Sequence, residues 1–259
     1  MNIDNSTTNS PATVACTSGG YPVASPASEN QIAAMFDRVA DRYDFLNTLL
    51  SSNQDKRWRR RLAMMVPYRP SGFMLDVATG TGDVLFACAK QHPEYLEFMG
   101  SDISGEMLTL AQKKVEVELP KNAKASWRQM SATALDLSDQ TADCISISFG
   151  LRNVVDKPKA ISEFFRVLKP GGVLLIMEFF EPQSHIFSRM FQFYFRHVLP
   201  VIGGIISDRS AYHYLPRSVG SFYKPQELRN ALTDRKFQVV EEVNFLFGSC
   251  RIVKAVKAI

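Results

Sequence analysis

The chain has 259 residues, of which 46% are hydrophobic and 22% charged. This composition supports a packed core and excludes a disulfide scaffold, a collagen-like repeat and a wholly disordered polymer. The net charge of +4 is unevenly spread: residues 1–37 hold Asp4, Glu29 and Asp37 without Lys or Arg, a sum of −3, so the remainder carries +7.

Residues 1–30 are rich in Ser, Thr, Asn, Pro, Ala and Gly. Such a segment cannot bury enough surface to offset its ordering entropy, so it is expected to be a flexible tail before a single domain over 31–259. It has no basic n-region or apolar h-region, which argues against a secretory leader, and no Arg-rich amphipathic pattern, which argues against a mitochondrial presequence. Ile32, Met35, Phe36 and Val39 recur at helical spacing and predict a helix just after the tail. A basic run follows, Lys56, Arg57, Arg59, Arg60 and Arg61 around Trp58. It reads either as a solvated helix face or as a contact for anionic lipid headgroups, and nucleic acid is not expected.

From Phe73 the pattern alternates between strands and helices. Strands are expected at 73–78, 95–101, 125–130, 142–149 and 173–180, with helices after residue 83, over 103–118 and over 157–168. The last helix is stopped by Pro170, Gly171 and Gly172. The run Val173–Phe180 is almost continuously apolar, as in a strand covered on both faces. Residues 181–225 form an insert whose Phe187, Met190, Phe191, Tyr194, Phe195, Val198 and Leu199 follow helical spacing. That face is either core or a lid over an apolar substrate, with Tyr212, Tyr214, Phe222 and Tyr223 adding to it. Residues 237–245 and 249–255 close the chain as an antiparallel pair around Gly248. Alternating strands and helices imply a mostly parallel, doubly wound α/β sheet, whose ligand lies beyond the carboxyl ends of the strands.

No apolar run reaches the ~20 residues of a membrane-spanning helix. The nearest, 186–206, is broken by Arg189, Gln192, Arg196, His197 and Pro200. Cys16, Cys88, Cys144 and Cys250 form no CxxC pair, and His92, His185, His197 and His213 have no ligand spacing. Unpaired cysteines in a reducing cytosol and no metal are therefore expected.

The segment Asp76-Val77-Ala78-Thr79-Gly80-Thr81-Gly82-Asp83 falls at a strand-to-helix turn, where glycine lets the backbone approach a ligand. A nicotinamide fingerprint would need glycine where Leu85 stands, and no Lys follows the glycines as in a phosphate-cradling loop. Asp102, at the end of the next strand, can accept both hydroxyls of a ribose. A nucleoside without pyrophosphate fits this pattern, and S-adenosyl-L-methionine is the obvious one.

The chain resembles the ubiquinone/menaquinone biosynthesis C-methyltransferases. The matching segments are MFDRVADRYDFLN (35–47), DVATGTGD (76–83), SDISGEML (101–108), ISFGLRNVVDKPKA (147–160), RVLKPGGVLLIMEF (166–179), HVLPVIGGIISD (197–208) and AYHYLPRSVGSF (211–222). FGLRNV and YHYLPRS are the most specific to this branch. The resemblance implies a Rossmann-like class I methyltransferase fold: a seven-stranded, mostly parallel sheet, helices on both faces and a final antiparallel hairpin. It implies S-adenosyl-L-methionine as cofactor, held around Asp76, Gly80, Thr81, Gly82, Asp102, Ser131, Ala132 and Ser148. Relatives usually carry Asn or Asp where this chain has Ser131. It also implies a prenylated quinol substrate, methylated on a ring carbon, with Arg152, Asn153 and Tyr43 at the reacting ring.

An Arg at 152 would stabilise the phenolate that makes the ring nucleophilic, since ionising a phenol of pKa ~10 near pH 7 costs about 4 kcal/mol. The competing role for Arg152 is a surface ion pair with Asp156. Other readings are a methyltransferase of another amphiphilic lipid and a non-catalytic scaffold subunit. A cytoplasmic enzyme, peripheral at an anionic membrane and forming a homodimer or part of a biosynthetic complex, completes the expectation.

Overall fold

The computed structural model describes residues 28–51, 53–182, 214 and 217–258, without the side chains of 45–47, 49 and 50. The expected tail up to residue 27 and most of the aromatic insert, including 187–199 and Tyr212, lie outside the described residues.

Helix α1 spans Glu29–Leu50, so the helical segment begins inside the stretch expected to be tail. Helix α2, Gln54–Ala63, carries the basic run. Then follow β1 (Phe73–Val77), α3 (Asp83–Gln91), β2 (Glu97–Asp102), α4 (Gly105–Glu118) and β3 (Lys124–Gln129). Next come β4 (Ala142–Ser148), a single 3₁₀ turn at Leu151–Asn153, α5 (Lys157–Val167) and β5 (Leu168–Phe179). The chain ends with α6 (Pro225–Thr233), β6 (Phe237–Phe245) and β7 (Cys250–Lys257).

The seven strands form one sheet in the order β3-β2-β1-β4-β5-β7-β6. β1 to β5 pair in parallel, and β7 pairs antiparallel with both β5 and β6. The chain runs outward from β1 to β3 and then returns to β4 on the other side. The order therefore reverses between β1 and β4, where a crevice opens beyond their carboxyl ends.

β5 starts five residues earlier than the apolar run suggested. Leu168 already pairs with Ala142, the chain then leaves the ladder, and Val173 resumes pairing with Cys144. The Lys169-Pro170-Gly171-Gly172 segment that stops α5 is thus an excursion within the strand, with Gly171 at φ +71°.

Two cores cover the sheet. On one face, Ala160, Ile161 and Phe164 of α5 and Leu228 and Leu232 of α6 pack on β4, β5 and β7. On the other, Trp58 and Leu62 of α2 and Leu85, Phe86 and Cys88 of α3 do so. Cys88, Cys144 and Cys250 are buried free thiols. Among the described residues, no helix is long and apolar enough to cross a membrane and no His, Cys, Asp and Glu cluster could hold a metal.

The basic run of α2 is divided by its helical phase. Trp58 is only 1% exposed and its ring meets those of Phe149, Phe179 and Phe245. Arg59 turns inward to Asp55 and Asp83, and Arg61 pairs with Glu241 at 2.8 Å. Lys56, Arg57 and Arg60 remain on the solvent side.

Candidate active site

Two cavities occupy the crevice at the switch point. The first encloses about 650 Å³ including its mouth and is walled by Glu29, Ile32, Asp102, Ile103, Met107, Met130, Ser131, Ala132, Asn153 and Val154. The second, about 1200 Å³, divides into a polar arm of Asp44, Ser51, Asp55, Arg59, Thr81 and Asp83 and an aromatic arm of Trp58, Phe149, Arg152, Phe179 and Tyr214. The cavities meet at Phe36, Tyr43, Ala78, Gly80, Ser148 and Phe149, which line both.

The junction is shaped by backbone conformation. Ala78 follows β1 with φ +51° and Phe149 follows β4 with φ +56°. Left-handed backbone at residues with a side chain is uncommon and concentrates at ligand sites. Gly150 permits this approach of the two strand ends, because a Cβ there would come within 2.5 Å of the Ala78 Cβ.

At the end of β2, Asp102 accepts the Gly80 N–H at 2.9 Å and the Ser104 N–H at 3.0 Å on different carboxylate oxygens. Burial raises its pKa, while the N–H groups of Ser104, Gly80 and Ile103 oppose the shift. Each oxygen keeps a lone pair for a further donor, which is the arrangement a vicinal diol needs. Ile103 and Ala132 offer apolar surfaces in the same wall, and Ser131 donates to Glu29 Oε1 at 2.9 Å.

Asp76 and Gly82 stand behind the wall. Asp76 accepts the Thr79 hydroxyl at 2.7 Å and the Ser146 hydroxyl at 2.5 Å, and so pins the turn rather than lining a cavity. Gly82, at φ +85°, caps α3, where a Cβ would meet Phe86 and Trp127 within 3 Å. Thr81 lines the polar arm and donates to Asp44 Oδ1 at 2.5 Å. Lys114 Nζ donates to Asp44 at 2.5 Å and Asp83 at 2.9 Å, and these acids raise its pKa against burial. Burial pushes the Asp83 carboxyl up, but Arg59 and Lys114 outweigh it and leave its pKa lowered.

Burial lifts the Asp76 carboxyl to about 6, above its ordinary 3.8. Its ionised form is thus disfavoured in the fold. The stabilising contribution is complete below pH 3.8 and lost as pH rises through about 6. The stability of the wild type relative to Asp76→Asn is expected to fall by about 3 kcal/mol across that window, read by denaturant unfolding at several pH values. A flat difference removes the assignment.

Arg152 does not pair with Asp156, which caps α5 by accepting the Lys159 N–H at 2.9 Å. It is 9% exposed and its Nη1 donates to Glu178 Oε1 at 2.7 Å and to the Phe149 carbonyl at 2.5 Å. Asn153 Nδ2 donates to the same carbonyl at 3.3 Å. Among the described residues, the Ser148 hydroxyl and Asn153 Oδ1 are buried without a protein partner, although both residues line the first cavity. Tyr43 packs edge-on to Phe36, with ring centroids 6.1 Å apart, over the junction.

The structure adds Asp44, Phe149, Phe179 and Glu178, and it turns Arg59, expected on a solvated or lipid-facing run, into the polar arm. Asp44, Phe149, Glu178 and Phe179 sat within quoted segments, but nothing in their spacing distinguishes a cavity wall from a core. Glu178 lies in an apolar strand, and a lone acid in such a run was its one signal.

The site fits a nucleoside with a polar, amino-acid-like extension. Asp102 suits its diol, the apolar walls its base and the mixed-charge arm its zwitterionic end, while Ser148 and Asn153 hold unsatisfied polar atoms. Comparison with known proteins agrees. The chain is 41% identical over 229 residues to a protein from Geobacter sulfurreducens named ubiquinone/menaquinone biosynthesis C-methyltransferase, covering 88% of this chain and 89% of that one. It is 38% identical to the demethylmenaquinone methyltransferase of Bacteroides fragilis, over 88% and 92% of the two chains. A solved S-adenosylmethionine-dependent methyltransferase from Thermotoga maritima shares the fold at a TM-score of 0.62 and 16% identity, over 87% of this chain and 99% of that one. Residues 25–257 match the ubiE/COQ5 methyltransferase family, and the chain belongs to it.

Proposed function

We propose that this protein methylates a ring carbon of a prenylated quinol: demethylmenaquinol, the benzoquinol of the ubiquinone pathway, or both. The observation that carries the reading is the aromatic arm, in which a buried guanidinium, Arg152, meets the cavity next to a nucleoside-shaped pocket. Family membership supports it.

S-adenosylmethionine, when bound, supplies a methyl group on a sulfonium, whose departure as a neutral thioether needs no covalent enzyme intermediate. Asp102 would hold the ribose, Ile103 and Ala132 would flank the base, and Ser131 and Ser148 would offer hydroxyls. Gly80 and Thr81 line the turn beneath the junction, Asp76 and Gly82 keep that turn in place, and Tyr43 covers it from α1. Phe149 and Phe179, stacked at 4.6 Å between centroids, orient the substrate ring. Holding the reacting groups in line contributes about 7–11 kcal/mol of the rate enhancement. Arg152 stabilises the phenolate form of the ring hydroxyl and Asn153 orients it.

The test is product mass after incubation with S-adenosylmethionine and reduced naphthoquinol or benzoquinol. A gain of one methyl group on either is expected, and no gain on both overturns the reading.

A substrate with an isoprenoid tail resides in a bilayer, which the enzyme meets from its surface. Lys56, Arg57 and Arg60, on the solvent side of α2, supply the cationic contact, at about 1 kcal/mol per basic residue near an anionic surface. Binding to anionic vesicles is expected to weaken with salt and when these three are replaced by glutamine. Equal binding at low and high salt removes the contact.

A further inference from the structure

Glu178 is a carboxylate with 0% exposure near the end of β5. Among the described residues, its donors come from two residues that wall the aromatic arm. Arg152 Nη1 donates to Oε1 at 2.7 Å, the Phe179 N–H donates to the same oxygen at 2.8 Å, and the Arg152 N–H reaches Oε2 at 3.2 Å. The Arg152 guanidinium also stands 6.0 Å from the centre of the Phe179 ring. One carboxylate thus fixes both the cation and the aromatic wall of the site. A buried ion pair of this kind repays its desolvation poorly and is weak evidence of a stabilising role.

We propose that Glu178 is a positioning residue for methyl transfer: it anchors the Arg152 guanidinium at the wall of the aromatic arm and cancels its net charge. The inference rests on the phenolate-stabilising role given to Arg152. It predicts opposite parts for the two charges. Arg152 favours ionisation of a phenol in the cavity, and Glu178 restrains it.

Tyr214 is a phenol in that cavity and serves as an internal reporter. Burial raises its pKa, Arg152 lowers it and Glu178 raises it. Among the described residues, further titratable groups lie near the pair. Lys157 of α5 and Cys250 of β7 both feel Glu178, although burial dominates each. Asp44, Asp55, Arg59 and Asp83 line the same cavity as Arg152.

Two substitutions separate charge from position. Glu178→Gln keeps the shape and removes the charge, leaving Arg152 unopposed. It is expected to move the Tyr214 phenolate absorption and the pH midpoint of kcat down by about one unit. Glu178→Asp keeps the charge but shortens the reach to Arg152. It is expected to lower kcat by about tenfold or more with the pH midpoint, the S-adenosylmethionine affinity and the thermal unfolding midpoint all unmoved, a combination that a loss of fold does not produce.

Tyr214 is read without quinol, as the difference between each variant and the same variant carrying Tyr214→Phe. An unshifted Tyr214 in Glu178→Gln overturns the proposal, and so does an Asp variant with full kcat, which remains informative if the Gln variant fails to fold. A shifted Tyr214 in a protein that methylates neither quinol supports the Glu178–Arg152 coupling and overturns the quinol reading instead.

Discussion

Replacing Arg152 by alanine is expected to lower kcat by about 10²–10³-fold while S-adenosylmethionine binding changes by no more than about twofold. The asymmetry follows from its place. Arg152 lines the aromatic arm but not the first cavity, where Asp102 and Ala132 stand. In the proposed role its effect belongs to the charge that develops on the quinol oxygen, so the loss is expected in turnover rather than in cofactor affinity. The single substitution has a complication, since it leaves Glu178 as a buried carboxylate without its ion partner, at a cost of about 3–5 kcal/mol in stability. The double variant Arg152→Met with Glu178→Gln removes both charges and keeps the volume. It is expected to recover stability without recovering turnover. Calorimetric cofactor binding, thermal unfolding and single-turnover methylation together separate the two effects. Full turnover by a folded Arg152→Ala protein overturns the role.

The sheet was legible because its strands carry strong local signals. Leu75, Ile145 and Ile176 sit in short apolar runs bounded by glycine or acidic residues, and the parallel strands pack on both faces. The start of β5 was not legible, because Pro170 and the two glycines look like a loop while Leu168 still reaches Ala142. Asp102 was legible as a residue of the crevice, because it closes a buried strand at the switch point, and it does line the first cavity. Asp76 was legible as a site residue but not as a support, since sequence spacing does not tell a side chain that lines a cavity from one that holds the turn behind it. Arg152 illustrates the limit of local pairing arguments. Asp156 lies four residues on, yet the partner is Glu178, brought near by the parallel pairing of β4 and β5. Trp58 and Arg59 are neighbours in a basic run, but helical phase sends one into the core and the other to Asp55 and Asp83.

Asp102→Asn is expected to raise the dissociation constant for S-adenosylmethionine by about 10²–10³-fold, because charge-assisted hydrogen bonds contribute about 1.5–3 kcal/mol each and two ribose hydroxyls compete for this carboxylate. The carboxylate also holds the Gly80 and Ser104 N–H groups on its two oxygens. An asparagine keeps one acceptor and turns an amide donor toward the other N–H. Part of the loss is therefore disorder in the turn, and part is the direct contact. A cofactor analogue lacking both ribose hydroxyls separates them. Against the wild type it loses only the direct part. Against Asp102→Asn it is expected to bind almost as weakly as the natural cofactor does, so that the coupling energy of the cycle isolates the contact. The same substitution reaches Asp76. Burial is the main cause that lifts the Asp76 carboxyl to about 6 and the Asp102 charge adds to it, so neutralising Asp102 is expected to lower that pKa and narrow the pH window in which stability falls. Wild-type affinity in Asp102→Asn would move the ribose to another part of the crevice. An unchanged pH window with weakened binding would instead keep the ribose contact and remove the coupling between the two acids.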